Sequence, residues 1–175
     1  SIAAGEYLML TQMIEGQNLQ QLKKGTSDAE KVTVSFYVKG NASATYAAEI
    51  YDLDNDRHAS KTFAVTTSWN RISLTYDGDT TGAFTYDSSA AIQLNIWLHA
   101  GSTYTGGTLQ SSFAGANAGG RAVGISSFYD STDREFFITG LQIEVGDQAT
   151  DFEHLPTDVQ LHRCSRCVQM FSNTH

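Results

Sequence analysis

Proline is almost absent from this chain: Pro156 is the only one in 175 residues. Reversals of direction therefore fall to the 15 glycines and to Asp, Asn and Ser. Cysteine is scarce as well, limited to Cys164 and Cys167, and a chain of this length buries a core without disulfide or metal support. Basic residues are few, 11 Lys and Arg against 19 Asp and Glu, for a net charge of −8. No basic run exceeds Lys23-Lys24, which argues against a nucleic-acid partner, since that affinity rests on neutralising phosphates. The longest apolar run falls far short of the roughly 20 residues a membrane-spanning helix needs, so no membrane insertion is expected. Also missing are a Gly-x-Ser-x-Gly elbow, a phosphate-cradling loop and a His-Glu-x-x-His pair. Nineteen scattered acids and five histidines form no recognisable catalytic set, and the chain is expected not to be an enzyme. No signal-peptide pattern heads the chain. Ser1 opens in mid-pattern, as a piece of a longer protein would.

What the chain does have is period-2 alternation rich in Thr, Tyr, Phe and Val, the mark of strands with one buried face. Tyr7 to Glu15 reads as a first strand, with Leu8, Leu10 and Ile14 on one side. Gly16 to Gly25 carries Leu19 and Leu22 at helical spacing, for one short turn closed by Gly25. In Lys31 to Lys39, Val32, Val34, Phe36 and Val38 face one way and Thr33, Ser35 and Tyr37 the other. Ala44 to Tyr51 presents Tyr46, Ala48 and Ile50 on one side, before a polar loop from Asp52 to His58. Thr62–Thr66 and Trp69–Tyr76 flank a Thr67-Ser68 turn. Ile92 to Leu98 is a strong strand, Val123 to Tyr129 a further one, and Phe136 to Val145 the last. Between them, residues 101 to 124 form a Gly/Ser-rich stretch, and a loop that long inside a domain is functional or mobile. The prediction is an all-β fold, an antiparallel sandwich spanning about 5–155, followed by a connector over 156–175 with a short helix.

The stretch Phe136 to Pro156 carries a more specific signal. Thr139-Gly140-Leu141-Gln142-Ile143-Glu144-Val145-Gly146, then Ala149-Thr150 and Phe152-Glu153, resembles the closing strand of a jelly-roll domain found in tail-fibre and other virion proteins of tailed phages. Upstream pieces stand in that family's order: Gln12 to Gly16, Val32 to Lys39, Trp69 to Asp79, and Gly82. The segment Cys164-Ser165-Arg166 follows the pattern too, with Cys167-Val168 where the family shows aromatic residues. The same strands are similar to jelly-roll carbohydrate-binding modules. The resemblance covers roughly residues 6 to 167. It implies a jelly-roll sandwich in a virion tail appendage, a homotrimer within a fibre, and recognition of host-surface polysaccharide or glycan. It equally accommodates a structural module that only spaces or trimerises the fibre.

Side-chain parity supplies candidate ligand contacts. With Ile92, Leu94, Ile96 and Leu98 turned inward, Gln93, Asn95, Trp97 and His99 share the outer face. By the same rule Tyr37 is exposed on the strand at Lys31, and Glu49 and Tyr51 on the strand at Ala44. Trp97, Tyr37 and Tyr51 would stack on the apolar face of a sugar, with Asn95, Gln93, Glu49 and His99 pairing to hydroxyls. The alternative is that the 101–124 loop or another subunit covers this face.

Two other patterns invite a metal reading. Asp52-Leu53-Asp54-Asn55-Asp56 alternates carboxylates like a calcium loop, but Arg57 stands where glycine is required and Phe63 where the closing glutamate would fall. A solvated turn is the simpler account, and no cofactor is expected beyond a structural calcium of the kind jelly-roll carbohydrate modules hold. Cys164-x-x-Cys167 has the spacing of half a zinc site, and the other half is missing even with His154 and His162 nearby.

Overall fold

The computed structural model describes residues 3–165. Eight strands build two antiparallel sheets packed face to face: β1 (Tyr7–Glu15), β2 (Val32–Gly40), β3 (Ala44–Asp52), β4 (Arg57–Val65), β5 (Asn70–Tyr76), β6 (Ala90–Ala100), β7 (Ala114–Gly115) and β8 (Phe136–Val145). The larger sheet runs β1-β6-β3-β4-β7 and the smaller β5-β2-β8, so the all-β sandwich expected from the alternation is what forms.

The core lies between the sheets and is supplied by one parity of the strands, β8 excepted. Val34, Phe36 and Val38 of β2 are fully enclosed and meet Tyr46, Ala48 and Ile50 of β3 and Leu94 and Ile96 of β6. Phe36 sets its ring edge-on to Phe63 at 5.0 Å, and Tyr46 meets Phe136 in the same manner at 5.5 Å. Enclosing a Phe of this kind contributes about 1.5–3 kcal/mol. Tyr76 is buried whole and donates its hydroxyl to the Ala48 carbonyl at 2.9 Å, which satisfies the one polar atom it brings inside.

Three local expectations are corrected. The segment Val123–Tyr129 is not a strand; it crosses the larger sheet as irregular chain ending in a 3-10 turn at Phe128–Asp130. β4 starts at Arg57 rather than at Thr62, because the four-residue turn Leu53–Asp56 is tight enough to pair Asp52 with Arg57. The third correction concerns β8. The alternation places Phe137, Thr139, Leu141, Ile143 and Val145 on one face, yet Phe136 and Ile138 pack on the core in its first half and Ile143 in its second. Tyr37 pairs with Thr139 and Ser35 with Gln142, so β8 spends one residue more than β2 over the same span. Gly140, at φ +60°, absorbs that bulge and exchanges the two faces.

The short helical turn expected before Gly25 is two 3-10 turns, Gly16–Asn18 and Gln20–Leu22, with Lys23 and Gly25 both at positive φ. Two α-helices complete the described residues: α1 (Ser102–Thr105) and, after Pro156, α2 (Thr157–Cys164). Val159 and Cys164 lie on α2, whereas Cys167, Val168 and Phe171 lie outside the described residues.

Candidate functional site

Six of the seven predicted contact residues do share one face. In the larger sheet Glu49 pairs with Asn95, Tyr51 with Gln93, and Ala47 with Trp97, which puts the outward side chains of β3 and β6 in common rows. Tyr37 does not join them, because β2 belongs to the smaller sheet and its outward side looks the opposite way.

Of the two expectations for this face, an open ligand surface and a face covered by the 101–124 loop, the structure shows the second, so Trp97, Asn95, Glu49 and His99 are not open to a ligand. Trp97 is 1% exposed, Glu49 and Asn95 are 0%, and His99 is nearly as enclosed; Tyr51 and Gln93 are half-buried. The parity reading was sound, but β6 has a second dry side. Residues 101 to 130 fold back over the sheet and lay Tyr104, Ala122 and Ile125 on Ala47 and Trp97, with Met9 and Ala100 alongside. Tyr7, Trp97 and Tyr104 form a ring triangle with centroid distances of 5.2–5.7 Å.

At the centre sits Glu49, whose carboxylate accepts four hydrogen bonds, three at Oε2 and one at Oε1. Asn95 Nδ2 donates at 2.9 Å and Trp97 Nε1 at 3.0 Å to Oε2. Arg121 donates from Nε to Oε1 at 2.7 Å and from Nη2 to Oε2 at 2.8 Å, a two-pronged pair. The guanidinium is held between the rings of Tyr51, 4.6 Å away, and Trp97, 4.9 Å away. Burial works to lower the Arg121 pKa, and the Glu49 carboxylate more than reverses this. Tyr51 is pushed up to about 12, first by burial and then by donating its hydroxyl to Asp56.

Arg121 was missed from sequence, although a signal for it exists. It is the only charged residue between positions 101 and 129. A lone charge in a neutral segment that ends up covering a sheet needs a buried counter-charge, and Glu49 is it.

The rim of this sealed face is polar and partly unsatisfied. His58, fully buried, stacks on Tyr51 at 6.0 Å, and neither of its ring nitrogens has a partner among the described residues. Ser60, which pairs with Glu49 across β3 and β4, likewise leaves its hydroxyl unpaired. Gln110 closes over them, its amide donating to the His58 carbonyl at 2.8 Å. At the far end His99 Nδ1 lies 2.8 Å from Ser127 Oγ.

The acidic loop has an internal cation. Lys24 is 4% exposed and places its ammonium 2.7 Å from Asp52 Oδ2 and 3.2 Å from Asp79 Oδ2, donating also to the Thr81 and Gly82 carbonyls at 2.7 Å. Asp52 Oδ1 meanwhile accepts the backbone N–H groups of Asp54 and Asn55. Arg57 grips Asp79 with two donors at 2.8 and 2.9 Å. Burial works to raise the Asp79 pKa, and Arg57, Thr81 and Lys24 overcome it to leave the carboxyl below its ordinary range. Among the described residues no group of three His, Cys, Asp or Glu side chains is gathered as a metal would need.

The open aromatic surface lies on the other sheet. Across β5, β2 and β8 the outward side chains fall into rows: Lys39 and Phe137, with Trp69 just before β5 on the other side of Lys39; then Arg71, Tyr37, Thr139; then Ser73, Ser35, Gln142. Trp69 is 48% exposed, Phe137 42% and Tyr37 36%. Lys39 Nζ stands 5.6 Å from the Trp69 ring and 5.1 Å from that of Phe137, while Arg71 lies over Tyr37 at 5.9 Å. The chain after β8 returns over the lower rows. Thr33 Oγ1 donates to the Gly146 carbonyl, Arg71 to that of Thr150, and Gln142 Nε2 to Thr150 Oγ1. That return seals Thr33 and Ser35 and leaves the two upper rows open, with Phe152 beside Gly140 and Tyr37 as a side wall.

No protein-family model, no curated protein and no solved structure matches this chain. The fold places it in the class of antiparallel all-β sandwiches, and its surfaces carry the rest of the argument.

Proposed function

We propose that this chain is a non-catalytic glycan-binding module of jelly-roll type, belonging to a tail fibre or related virion appendage, that recognises host-surface polysaccharide. The single observation that carries the reading is the open strip of Trp69, Tyr37 and Phe137 on the outer face of the smaller sheet. Tyr37 on β2, Phe137 on β8 and Trp69 at the entry to β5, with strands about 5 Å apart, make a platform on which the C–H face of a sugar lies flat. Polar partners stand beside it in Thr139, Arg71 and Lys39. The resemblance of the β2, β5 and β8 sequences to phage jelly-roll domains supports the virion origin. Binding on such a shallow face is weak per site, and repetition along a fibre supplies avidity.

Of the residues expected from parity, Tyr37 remains in the contact set, whereas Trp97, Glu49 and Asn95 move to a structural role under the 101–130 cover. The test is affinity electrophoresis of the 175-residue chain in gels containing host-surface polysaccharide. Wild type should be retarded, Trp69→Ala and Phe137→Ala should migrate as in a blank gel, and both should keep the wild-type melting temperature within a few degrees. Equal retardation of all three proteins would sink the reading.

A second reading, a spacing or oligomerising module, has its own observation. From Leu8 to Ile14 the free edge of β1 carries no charge, with Leu10 45% and Met13 49% exposed. Unguarded edges of this kind pair readily. A sizing measurement in which Leu10→Lys converts an oligomer to a monomer would favour it.

A further inference from the structure

Resting on the glycan-binding reading, we infer that the ligand of the strip is an acidic polysaccharide, a sugar chain bearing carboxylates, and that Lys39 is the residue that selects it. The strip is not electrically neutral, although the chain as a whole carries −8. Most other cations are already matched by acids: Lys23 by Glu30, Lys24 by Asp52 and Asp79, Lys31 by Asp77, Arg57 by Asp79, Arg121 by Glu49 and Arg134 by Asp130. Lys39 has no carboxylate within ion-pair distance among the described residues. Its ammonium is held instead between two exposed rings, in the middle strand of the sheet.

Ring faces attract a cation but do not neutralise it. The side of the ammonium turned away from Trp69 and Phe137 keeps its donors for a guest. A pyranose laid across the two rings would bring a substituent at its edge to that ammonium. A neutral hydroxyl gains one ordinary hydrogen bond there, while a carboxylate gains a charge-assisted bond about twice as strong. In the next row Arg71 adds a second positive group over Tyr37. It is only loosely matched by Asp151 at 3.7 Å, a side chain fully in solvent. Exposed Glu135 lies two residues before Phe137 in the chain, and Asp151 lies beside Arg71. The net charge of −8 disfavours polyanions over the chain as a whole, so capture depends on local groups such as Lys39.

The inference is tested by affinity electrophoresis in gels containing either a carboxylated polymer (alginate or polygalacturonate) or a neutral one (dextran or galactomannan), at low and at 0.5 M salt. Wild type should bind the carboxylated polymer at least 10-fold more tightly, and salt should abolish that advantage. Lys39→Gln should lose the 10-fold preference yet keep whatever neutral retardation wild type shows, and Lys39→Arg should restore most of it. Equal retardation by both polymers, unchanged in Lys39→Gln, would overturn the acidic assignment and leave the glycan reading standing. Retardation by neither polymer nor by host polysaccharide would overturn both.

Discussion

Arg121 engages Glu49 through both carboxylate oxygens while lying between the rings of Tyr51 and Trp97, so one side chain ties the 101–130 cover to the larger sheet by charge and by stacking. Glu49 is fully buried, and the guanidinium is what makes its negative charge tolerable there.

Arg121→Leu should therefore lower stability by about 3–5 kcal/mol, the usual result of stranding one member of a buried pair. Denaturant titration followed by tryptophan emission measures it. Trp97 emission should shift to the red, and new protease cuts should fall between residues 101 and 129. The double variant Glu49→Gln with Arg121→Leu should lose less than the sum of the two single changes, because the pair is coupled. Additive losses would mean that the contact contributes nothing as a pair.

His58 carries a pH consequence. Burial holds its pKa below the ordinary 6.5, with Arg121 acting in the same direction and Glu49 and Asp56 opposing. The neutral ring is thus favoured in the folded chain, while the unfolded chain takes up a proton near 6.5. The stability this provides is complete above the unfolded value and is lost as pH falls below about 6.5 toward the folded value. Melts of wild type from pH 7.5 to 5 should show a decline that His58→Phe flattens. A variant whose pH profile parallels wild type would assign the decline to other groups.

Lys24→Met should be among the most damaging single changes at the loop end of the sandwich. It removes the ammonium from Asp52 and Asp79 and leaves two carboxylates buried, with only Arg57 in compensation. A loss of about 3 kcal/mol or more is expected in urea titration. In wild type that ammonium already occupies the space among the four oxygens. Neither calcium nor a chelator should then move the melting temperature by more than a degree. A clear rise with calcium would place a metal elsewhere on the chain.

The sequence was informative where one physical signal dominated. Val32, Val34, Phe36 and Val38 alternate cleanly because β2 is central in its sheet and packs one side on the core, so its range and orientation were readable. β8 alternates just as cleanly, but a bulge at Gly140 reverses the faces, and nothing in the letters separates such a glycine from a turn former. For Trp97 the letters leave two outcomes open, an exposed ring or one under the 101–124 loop, and the structure shows the second. Alternation reports which side of a strand a residue occupies, not what long-range chain later covers it. The 101–130 segment has no periodicity of its own because it is neither helix nor strand for most of its length. Alternation does not single out Trp69, because it precedes β5 by one residue and only its contact with Lys39, which pairs with Phe137, puts it on a shared surface.

β6 is dry on both sides, against the main core through Leu94 and Ile96 and against the cover through Asn95 and Trp97. A strand with no wet face opens only when the whole domain does, so its amides should be the last to exchange hydrogen for deuterium. Because Val34, Phe36 and Val38 of the smaller sheet pack in the same core as Leu94 and Ile96, a substitution that empties that layer, such as Phe36→Ala, should speed exchange in β6 as well as in β2.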